Sequence, residues 1–488
     1  MILSELLEGV NYSLVTGEVG VEISGVAYDS RYVMPGGLFV CIEGTVTDGH
    51  QYVSAACTAG AVALIVQKPV EVPPGMTVVL VENSRQALAL VSSAWFGHPS
   101  RELKLIGVTG TKGKTTTTYM IKAILGEAGH RTGLIGTIET IVGDIHTPAK
   151  NTTPESYELQ KLFRAMVDAG CDSAVMEVSS QGLMMDRVSG CDFDIGIFTN
   201  ISPDHIGPNE HPSYENYLDC KTRLFKMCKV GLLNIDDPGH LAMQAVSTGK
   251  MLTFGMSASA DYRAQDITML SQPGWLGVSF HLAGPQGSFP VKVGVPGDFS
   301  VYNALAAIAA CLSFGASPED INRALENIRV RGRIELVPAL PHFTLLIDYA
   351  HNAISLENLL GTLRSYQPTR LVCLFGCGGN RDRQRRFDMG RISGQMADIS
   401  ILTTDNPRNE EPENIFADIR QGINPTGGQY IIINDRLEAI RYLIQNSQPG
   451  DVAVLVGKGH ETYQEIRGIK HHMDERELVA QVLAELKV

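Results

Sequence analysis

The sequence predicts an α/β protein of three domains, and three observations carry that reading. The 488 residues suffice for about three domains of roughly 150 residues, each able to bury a core. Short apolar runs alternate with helical stretches along most of the chain, the pattern of a mainly parallel sheet with crossover helices. Many of those runs end in polar or glycine-rich residues, where doubly wound sheets bind ligands.

Residues 1–100 mix β-type runs (VEISGVAYDS, GGLFVCIEG, VALIVQK, MTVVLVEN) with a helical stretch at RQALALVSSAWFGH, which predicts a small α/β domain. The Pro99-Ser100 step reads as a linker. In residues 101–330, LKLIGVTG, SAVMEVSS, FDIGIFTN and VGLLNIDD read as buried strands of a central nucleotide-type domain, and the extended segment Gly274 to Gly294 reads as a β insertion. In residues 331–488, TLLIDYA, RLVCLFGCGG, ISILTTDNP, YIIIND and DVAVLVGKG predict a second doubly wound domain.

Composition narrows the function classes. With 40 Lys and Arg against 53 Asp and Glu, the net charge is −13, which argues against a nucleic-acid binder or a polybasic membrane protein. An anionic ligand therefore needs a local positive site. Hydrophobic residues at 44% and charged residues at 19% predict a chain that folds throughout. The N-terminal stretch lacks a secretory pattern, and no apolar run is long enough to insert in a membrane. Nine cysteines occur without a Cys-x-x-Cys pair, so they read as core thiols of a protein in the reducing cytoplasm.

The sharpest feature is LKLIGVTGTKGKTTTTYMIKAILGEAG, residues 103–129. An apolar strand enters a turn containing Gly110, Thr111, Lys112 and Gly113, and Lys114, Thr115 and Thr116 open a helix. Glycines let backbone N–H groups face a phosphate chain, the helix N-terminus adds positive potential, Lys114 reaches terminal phosphate oxygens, and Thr115 is suited to ligate Mg²⁺. The loop is a variant, because the usual first glycine position is Val108. Glu177, ending SAVMEVSS, reads either as a carboxylate aimed at Mg²⁺ or as a solvated strand edge. His205 reads either as a further ligand or as an ordinary loop histidine. Lys221 lies one helical turn from Tyr217 and from Phe225, so it is either a packed stem reaching the surface or a buried amine that must be paired or chemically changed.

The chain resembles the Mur ligase family through an ordered series: YDSR (28–31), TGTKGKTT (109–116), NTTPES (151–156), MEVSS (176–180), DH (204–205), KTRLF (221–225), the asparagine of VYNALAA, GRIE (332–335), DYAH (348–351), GCGGNRD (376–382), DNPR (405–408) and GKGHE (457–461). The resemblance implies an N-terminal domain for the UDP end, a central P-loop ATPase domain and a Rossmann-like C-terminal domain that brings the amino acid. It implies an ATP-dependent amide ligase of cytoplasmic peptidoglycan precursor synthesis, acting as a monomer with ATP as co-substrate and Mg²⁺. Implied ATP contacts are Gly110 to Thr116 with Asn303, Arg333, Asp348 and His351. Implied contacts to UDP-N-acetylmuramoyl-L-alanyl-D-glutamate are Ser30, Asn151, Thr152, Thr153, Ser179 and Arg187. The implied catalytic set is Lys114, Glu177, His205 and Lys221, with Thr115, Glu177, His205 and Lys221 at the metal and Lys221 carried as a carbamate.

Within this resemblance, DNPR accompanies addition of meso-2,6-diaminopimelate. The implied amino-acid contacts are Arg381, Asp405, Asn406, Pro407, Arg408, Gly457 and Glu461. Diaminopimelate carries a far carboxylate that lysine lacks, a guanidinium can grip it bidentately, and lysine would leave Arg408 unpaired. Gln181, Met185, the DHIGPNEH run, DYAHNAI and GDFSVYN depart from the commoner family pattern. Four alternatives stand beside this reading: addition of L-lysine or another diamino acid, a folate polyglutamate synthetase, a P-loop kinase, and an ATP-binding regulator of wall synthesis without catalysis.

Overall fold

Three α/β segments follow one another along the chain in the computed structural model, which describes residues 1–44, 47–207, 210–272 and 274–486. By internal contacts, Met1–Tyr262 and Ala306–Ser317 form one unit, and Arg263–Leu305 with Pro318 onward form a second.

The first unit opens with a five-stranded sheet in the order Tyr12–Thr16, Thr77–Val81, Ala61–Val66, Gly37–Val40, Val26–Ala27. Only the Tyr12–Thr16 edge is antiparallel. The helical stretch forms as Ser84–Trp95, capped by the Asn83 side chain on two backbone N–H groups, and its Leu88 and Val91 pack with Ile65 and Val79. VEISGVAYDS yields a strand of only two residues. Asp29 stops it, because its carboxylate accepts from Arg31 N and starts the turn Ser30–Tyr32. The expected linker at Pro99 is a buried 3₁₀ turn, Pro99–Arg101, fastened where Ser100 Oγ accepts from Asp192 N at 3.2 Å.

The same unit holds a parallel array in the order Lys250–Gly255, Cys228–Asn234, Phe193–Phe198, Lys104–Thr109, Ser173–Glu177, Thr132–Ile135. Two antiparallel strands, Glu139–Val142 and Ile145–Pro148, extend it beyond Thr132–Ile135. After Lys104–Thr109 the chain first builds to one side and then crosses to the other through Phe193–Phe198. This reversal puts a crevice at the carboxyl ends of three adjacent strands, Ser173–Glu177, Lys104–Thr109 and Phe193–Phe198.

In the second unit, from Arg263 on, the expected β insertion is an antiparallel meander of the strands Tyr262–Gln272, Trp275–Gly284 and Gly287–Val293. The main sheet runs Glu335–Val337, Thr344–Asp348, Val452–Val456, Leu371–Phe375, Ile399–Leu402, Tyr430–Ile432, parallel except for its first strand. Leu276 of the meander shares a core with Leu356, Phe375 and Val454. Tyr366 Oη ties the two parts together by donating to Gly277 O at 2.9 Å and accepting from Gly297 N at 3.0 Å. Among the described residues, no helix is long and apolar enough to cross a membrane.

Candidate active site

The phosphate loop sits at the sheet's reversal point. Val108 pairs with Glu177 on one side and Ile197 on the other, so it is still strand, and the turn begins two residues later. Hence no glycine is needed there. Gly110 has φ +147°, and a Cβ on it would lie 2.0 Å from Thr199 Oγ1. Gly113, at φ +87°, precedes the helix Lys114–Glu127. The loop is held from the next strand: Asn200 Oδ1 accepts from Lys112 N at 2.9 Å, and Thr199 Oγ1 donates to Lys112 O at 2.7 Å.

Glu177 is 1% exposed and is the hub of the first unit's site. Its Oε1 accepts from Thr115 Oγ1 at 3.0 Å and from Thr137 N at 2.8 Å, and its Oε2 accepts from Thr137 Oγ1 at 3.1 Å. Thr152 Oγ1 lies 3.0 Å from Thr137 Oγ1. Thr153 Oγ1 donates to Glu177 O at 3.0 Å, and Ser179 caps the short helix Ser180–Met184. Arg187 Nη1 donates to Thr153 O at 3.0 Å. Thr115, Thr152, Thr153, Glu177, Ser179 and Arg187 are thereby brought together. Asn151 is exposed at the edge of this cluster, and Ser30 opens the Ser30–Tyr32 turn.

Two lysines converge on one carbonyl. Lys114 Nζ donates to Gly110 O at 2.8 Å and to Thr111 O at 3.1 Å, while Lys221 Nζ donates to Gly110 O at 2.9 Å. Lys221 is 1% exposed and lies over the Tyr217 ring, 4.4 Å from its centroid. Burial, and then the neighbouring Lys114 charge, push its amine well below the ordinary lysine value. The buried reading of Lys221 therefore holds. Burial also pushes the Tyr217 phenol up to about 12, and its oxygen lies 3.0 Å from Thr111 Oγ1.

His205 stands apart from the Glu177 cluster. It has φ +55°, its side chain is half-exposed, and its Nδ1 lies 3.0 Å from Glu210 Oε1. Asp204 beside it pairs with Lys112 at 3.2 Å, and Lys112 and His205 outweigh burial to hold it below the usual carboxylate range. Of the departing DHIGPNEH run, Pro208 and Asn209 lie outside the described residues. The buried histidine of that run is His211, 2.9 Å from Ser180 Oγ and 2.8 Å from Asn216 Oδ1.

The second unit places three of the other nucleotide candidates, Arg333, Asp348 and His351, around the carboxyl end of Thr344–Asp348. Asp348 accepts from Ile334 N at 2.8 Å and Ala350 N at 2.7 Å, and burial raises its carboxyl despite Arg333. Arg333 lies over the Tyr349 ring at 5.5 Å, and its buried Nε has no hydrogen-bond partner among the described residues. His351 is exposed beside Tyr349, while Asn303 is buried in the helix Asp298–Ser313.

The DNPR turn is clasped between a glycine loop and the hairpin Tyr463–Ile466 with Ile469–His472. A Cβ on Gly379 would meet Pro407 O at 1.9 Å, so this backbone approach requires glycine there, and one on Gly378 would displace the Arg408 tip, 2.9 Å away. A Cβ on Gly457, at φ +108°, would meet Asp405 Oδ2 at 2.7 Å. Arg408 Nη1 donates to Gly379 O at 2.8 Å and its Nε to Glu465 Oε2 at 3.1 Å. Lys458, 0% exposed, links Asn406 Oδ1 at 2.9 Å to Glu461 Oε2 at 2.7 Å. Asn406 Nδ2 also reaches Glu461 Oε2, at 3.0 Å. The turn thus brings Asp405, Asn406, Arg408, Gly457 and Glu461 together, and Arg381 follows Gly378 as an exposed side chain.

Sequence reasoning missed Thr137, His211, Lys458 and Glu465. Thr137 follows a strand without any motif. Lys458 lay inside GKGHE, where a lysine between two glycines was available as a signal.

The family model described as Mur ligase family, catalytic domain matches residues 22–96, Mur ligase middle domain matches 108–311, and Mur ligase, glutamate ligase domain matches 332–459. The chain belongs to the Mur ligase family. A relative of this Mur ligase from Caldanaerobacter subterraneus subsp. tengcongensis, named UDP-N-acetylmuramoyl-L-alanyl-D-glutamate--2,6-diaminopimelate ligase, is 45% identical over 487 residues, covering 99% of each chain. A relative from Clostridium acetobutylicum with the same name, numbered 1, is 42% identical over 490 residues, covering 100% of each. A solved structure titled as that ligase aligns with TM-score 0.77 at 30% identity, covering 100% of this chain and 99% of its own. A folylpolyglutamate synthase structure from Mycobacterium tuberculosis shares the fold, with TM-score 0.59 at 17% identity over 76% of this chain and 92% of its own.

Proposed function

We propose that this Mur ligase joins meso-2,6-diaminopimelate to the D-glutamyl γ-carboxylate of UDP-N-acetylmuramoyl-L-alanyl-D-glutamate, consuming ATP with Mg²⁺ and acting as a cytoplasmic monomer. Its domains are 1–100, 101–330 and 331–488. The observation that carries the amino-acid assignment is Arg408, aligned by Gly379 O and Glu465 with Nη2 outside both bonds. The full-length similarity to ligases of that name supports the reaction.

A carboxylate resists attack by amines because its oxygen is a poor leaving group. The substrate carboxylate oxygen attacks the γ-phosphorus of ATP, the bond to the ADP oxygen breaks, and an acyl phosphate forms. The amine then attacks the acyl carbon, loses a proton, and phosphate departs as the amide forms. Lys114 exchanges its two backbone carbonyls for phosphate oxygens, and the loop from Gly110 to Thr116 cradles the phosphate chain with N–H groups other than those of Thr111 and Lys112, which Asn200 holds. Asn303, Arg333, Asp348 and His351 bind the nucleotide. Ser30, Asn151, Thr152, Thr153, Ser179 and Arg187 orient the UDP-linked substrate so that its carboxylate meets the phosphate in line. Arg381, Asp405, Asn406, Pro407, Arg408, Gly457 and Glu461 seat the amino acid.

The donor set fits a hard divalent cation. Thr115 and Glu177 offer oxygens 3.0 Å apart at the mouth of the loop, while His205, which stands apart from them beside Glu210, would have to move to join the set. Bound there, Mg²⁺ would neutralise charge on the transferred phosphoryl group. A protonated Lys221 would oppose that cation. Burial and the neighbouring Lys114 charge lower its basicity, which favours the neutral amine, the form that adds CO₂ to give a carbamate and a proton, and the resulting oxygens would join the anionic set.

The test is ADP release by the full chain with the UDP-linked dipeptide and a panel of amino acids. Turnover with meso-diaminopimelate well above that with L-lysine supports the proposal. Equal or better turnover with L-lysine overturns the specificity, and ATP binding without any amide product overturns the reaction.

A further inference from the structure

We infer that Glu465 is a specificity-determining residue: a built-in carboxylate that aligns Arg408 before the amino acid binds and sets how strongly the pocket prefers an amino acid with a second carboxylate. The inference rests on the proposed role of Arg408. Its observations are independent of any motif, because Glu465 belongs to the hairpin beyond GKGHE.

Glu465 is fixed by its backbone before its side chain acts. Its N–H donates to Asn406 Oδ1 at 2.8 Å and its carbonyl accepts from Arg408 N at 3.0 Å. Arg467 N then donates to Arg408 O at 2.8 Å, so the hairpin strand lies in register alongside the turn. These bonds hold Arg408 at φ +53°, a left-handed backbone that disfavours a residue with a Cβ. Both side chains are mostly covered, Arg408 at 22% and Glu465 at 27% exposure.

Glu465 takes Nε and Gly379 O takes one Nη1 proton, so the guanidinium plane cannot rotate freely. The remaining Nη1 proton and one Nη2 proton are left to grip one incoming carboxylate as a two-point fork. Glu465 has a second effect through its charge. It neutralises Arg408 when no far carboxylate is present, which lowers the cost of binding lysine, and it repels the far carboxylate of diaminopimelate. Glu461 does not share this role, because Lys458 already neutralises it at 2.7 Å. Alignment and charge are separable: a glutamine still accepts from Nε through its amide oxygen but carries no charge.

The experiment compares the wild-type enzyme with Glu465→Gln, Glu465→Met and Arg408→Lys, each with meso-diaminopimelate, 2-aminopimelate and L-lysine at saturating ATP. Glu465→Gln is expected to lower KM about threefold for both dicarboxylic amino acids, to give no gain with L-lysine, and to change KM more than kcat. Glu465→Met, which loses the alignment as well as the charge, should keep less of the KM gain for the dicarboxylic amino acids than Glu465→Gln and should lower kcat. A residue that merely stabilised the hairpin would shift all three substrates alike. If KM for the dicarboxylic substrates is unmoved or rises in both neutral variants while Arg408→Lys still raises it, the Glu465 assignment is wrong and the Arg408 reading stands. If Arg408→Lys leaves KM for diaminopimelate unchanged, the Arg408 reading fails and this inference falls with it.

Discussion

Replacing Glu177 by glutamine separates what this residue does for the fold from what it does for the reaction. A glutamine whose oxygen takes the Oε1 place keeps the bonds from Thr115 Oγ1 and Thr137 N. Its amide nitrogen then faces Thr137 Oγ1, a hydroxyl that can accept once it donates instead to Thr152 Oγ1, 3.0 Å away. All three bonds survive. Losing charge assistance costs about 1 kcal/mol per bond, and removing a carboxylate at 1% exposure returns a comparable sum. The terms offset, so the melting temperature should move by no more than about 4 °C. Turnover should fall about a thousandfold, because an amide cannot supply the anionic ligand that would hold the cation beside the transferred phosphoryl group. Thermal melting and phosphate release from the same preparation provide the check. A variant that keeps more than about a tenth of the activity would refute the placement of Glu177 at the metal. One that fails to fold would refute the exchangeable network.

Three further outcomes follow from the geometry. Lys221→Ala should lose turnover while nucleotide binding, followed by calorimetry, largely persists, and high bicarbonate should not restore it; an unmodified, solvent-facing lysine in the active wild type would contradict the carbamate. Gly110→Ala puts a methyl 2.0 Å from Thr199 Oγ1, and should destabilise the protein by about 2 kcal/mol in urea unfolding and weaken ATP binding. Burial, then the Arg333 charge, holds His460 at about 4 against an ordinary 6.5, so the unfolded chain binds more protons between those values and stability is lost as pH falls through that window. His460→Gln should therefore reduce the drop in the urea midpoint between pH 7 and pH 5.

What the sequence revealed was mostly local, and what it hid depends on distant strands meeting. The phosphate loop was legible because strand, glycine turn, Lys114 and Thr115 are contiguous. The helix spacing that puts Lys221 on the face of Tyr217 is equally local, but its burial depends on a distant partner, the Gly110 carbonyl that accepts from its amine. Val108 looked like a defect in the loop motif and is instead a strand residue with a partner on each side. Strand order was not legible, since the crossover through Phe193–Phe198 is fixed by packing across the whole sheet. Thr137 and Glu465 escaped for the same reason. A threonine after one strand and a glutamate on a late hairpin gain meaning only when the fold sets them against Glu177 and Arg408. His205 shows the converse, a motif residue that lies outside the Glu177 cluster.

The central claim, that this chain builds an amide with a diamino acid bearing a second carboxylate, is tested most directly by competition in one reaction. The full chain is given the UDP-linked dipeptide, ATP, Mg²⁺ and equal concentrations of meso-diaminopimelate and L-lysine, and the product is identified by mass. The account predicts the diaminopimelate adduct in large excess. A product carrying chiefly lysine would contradict it.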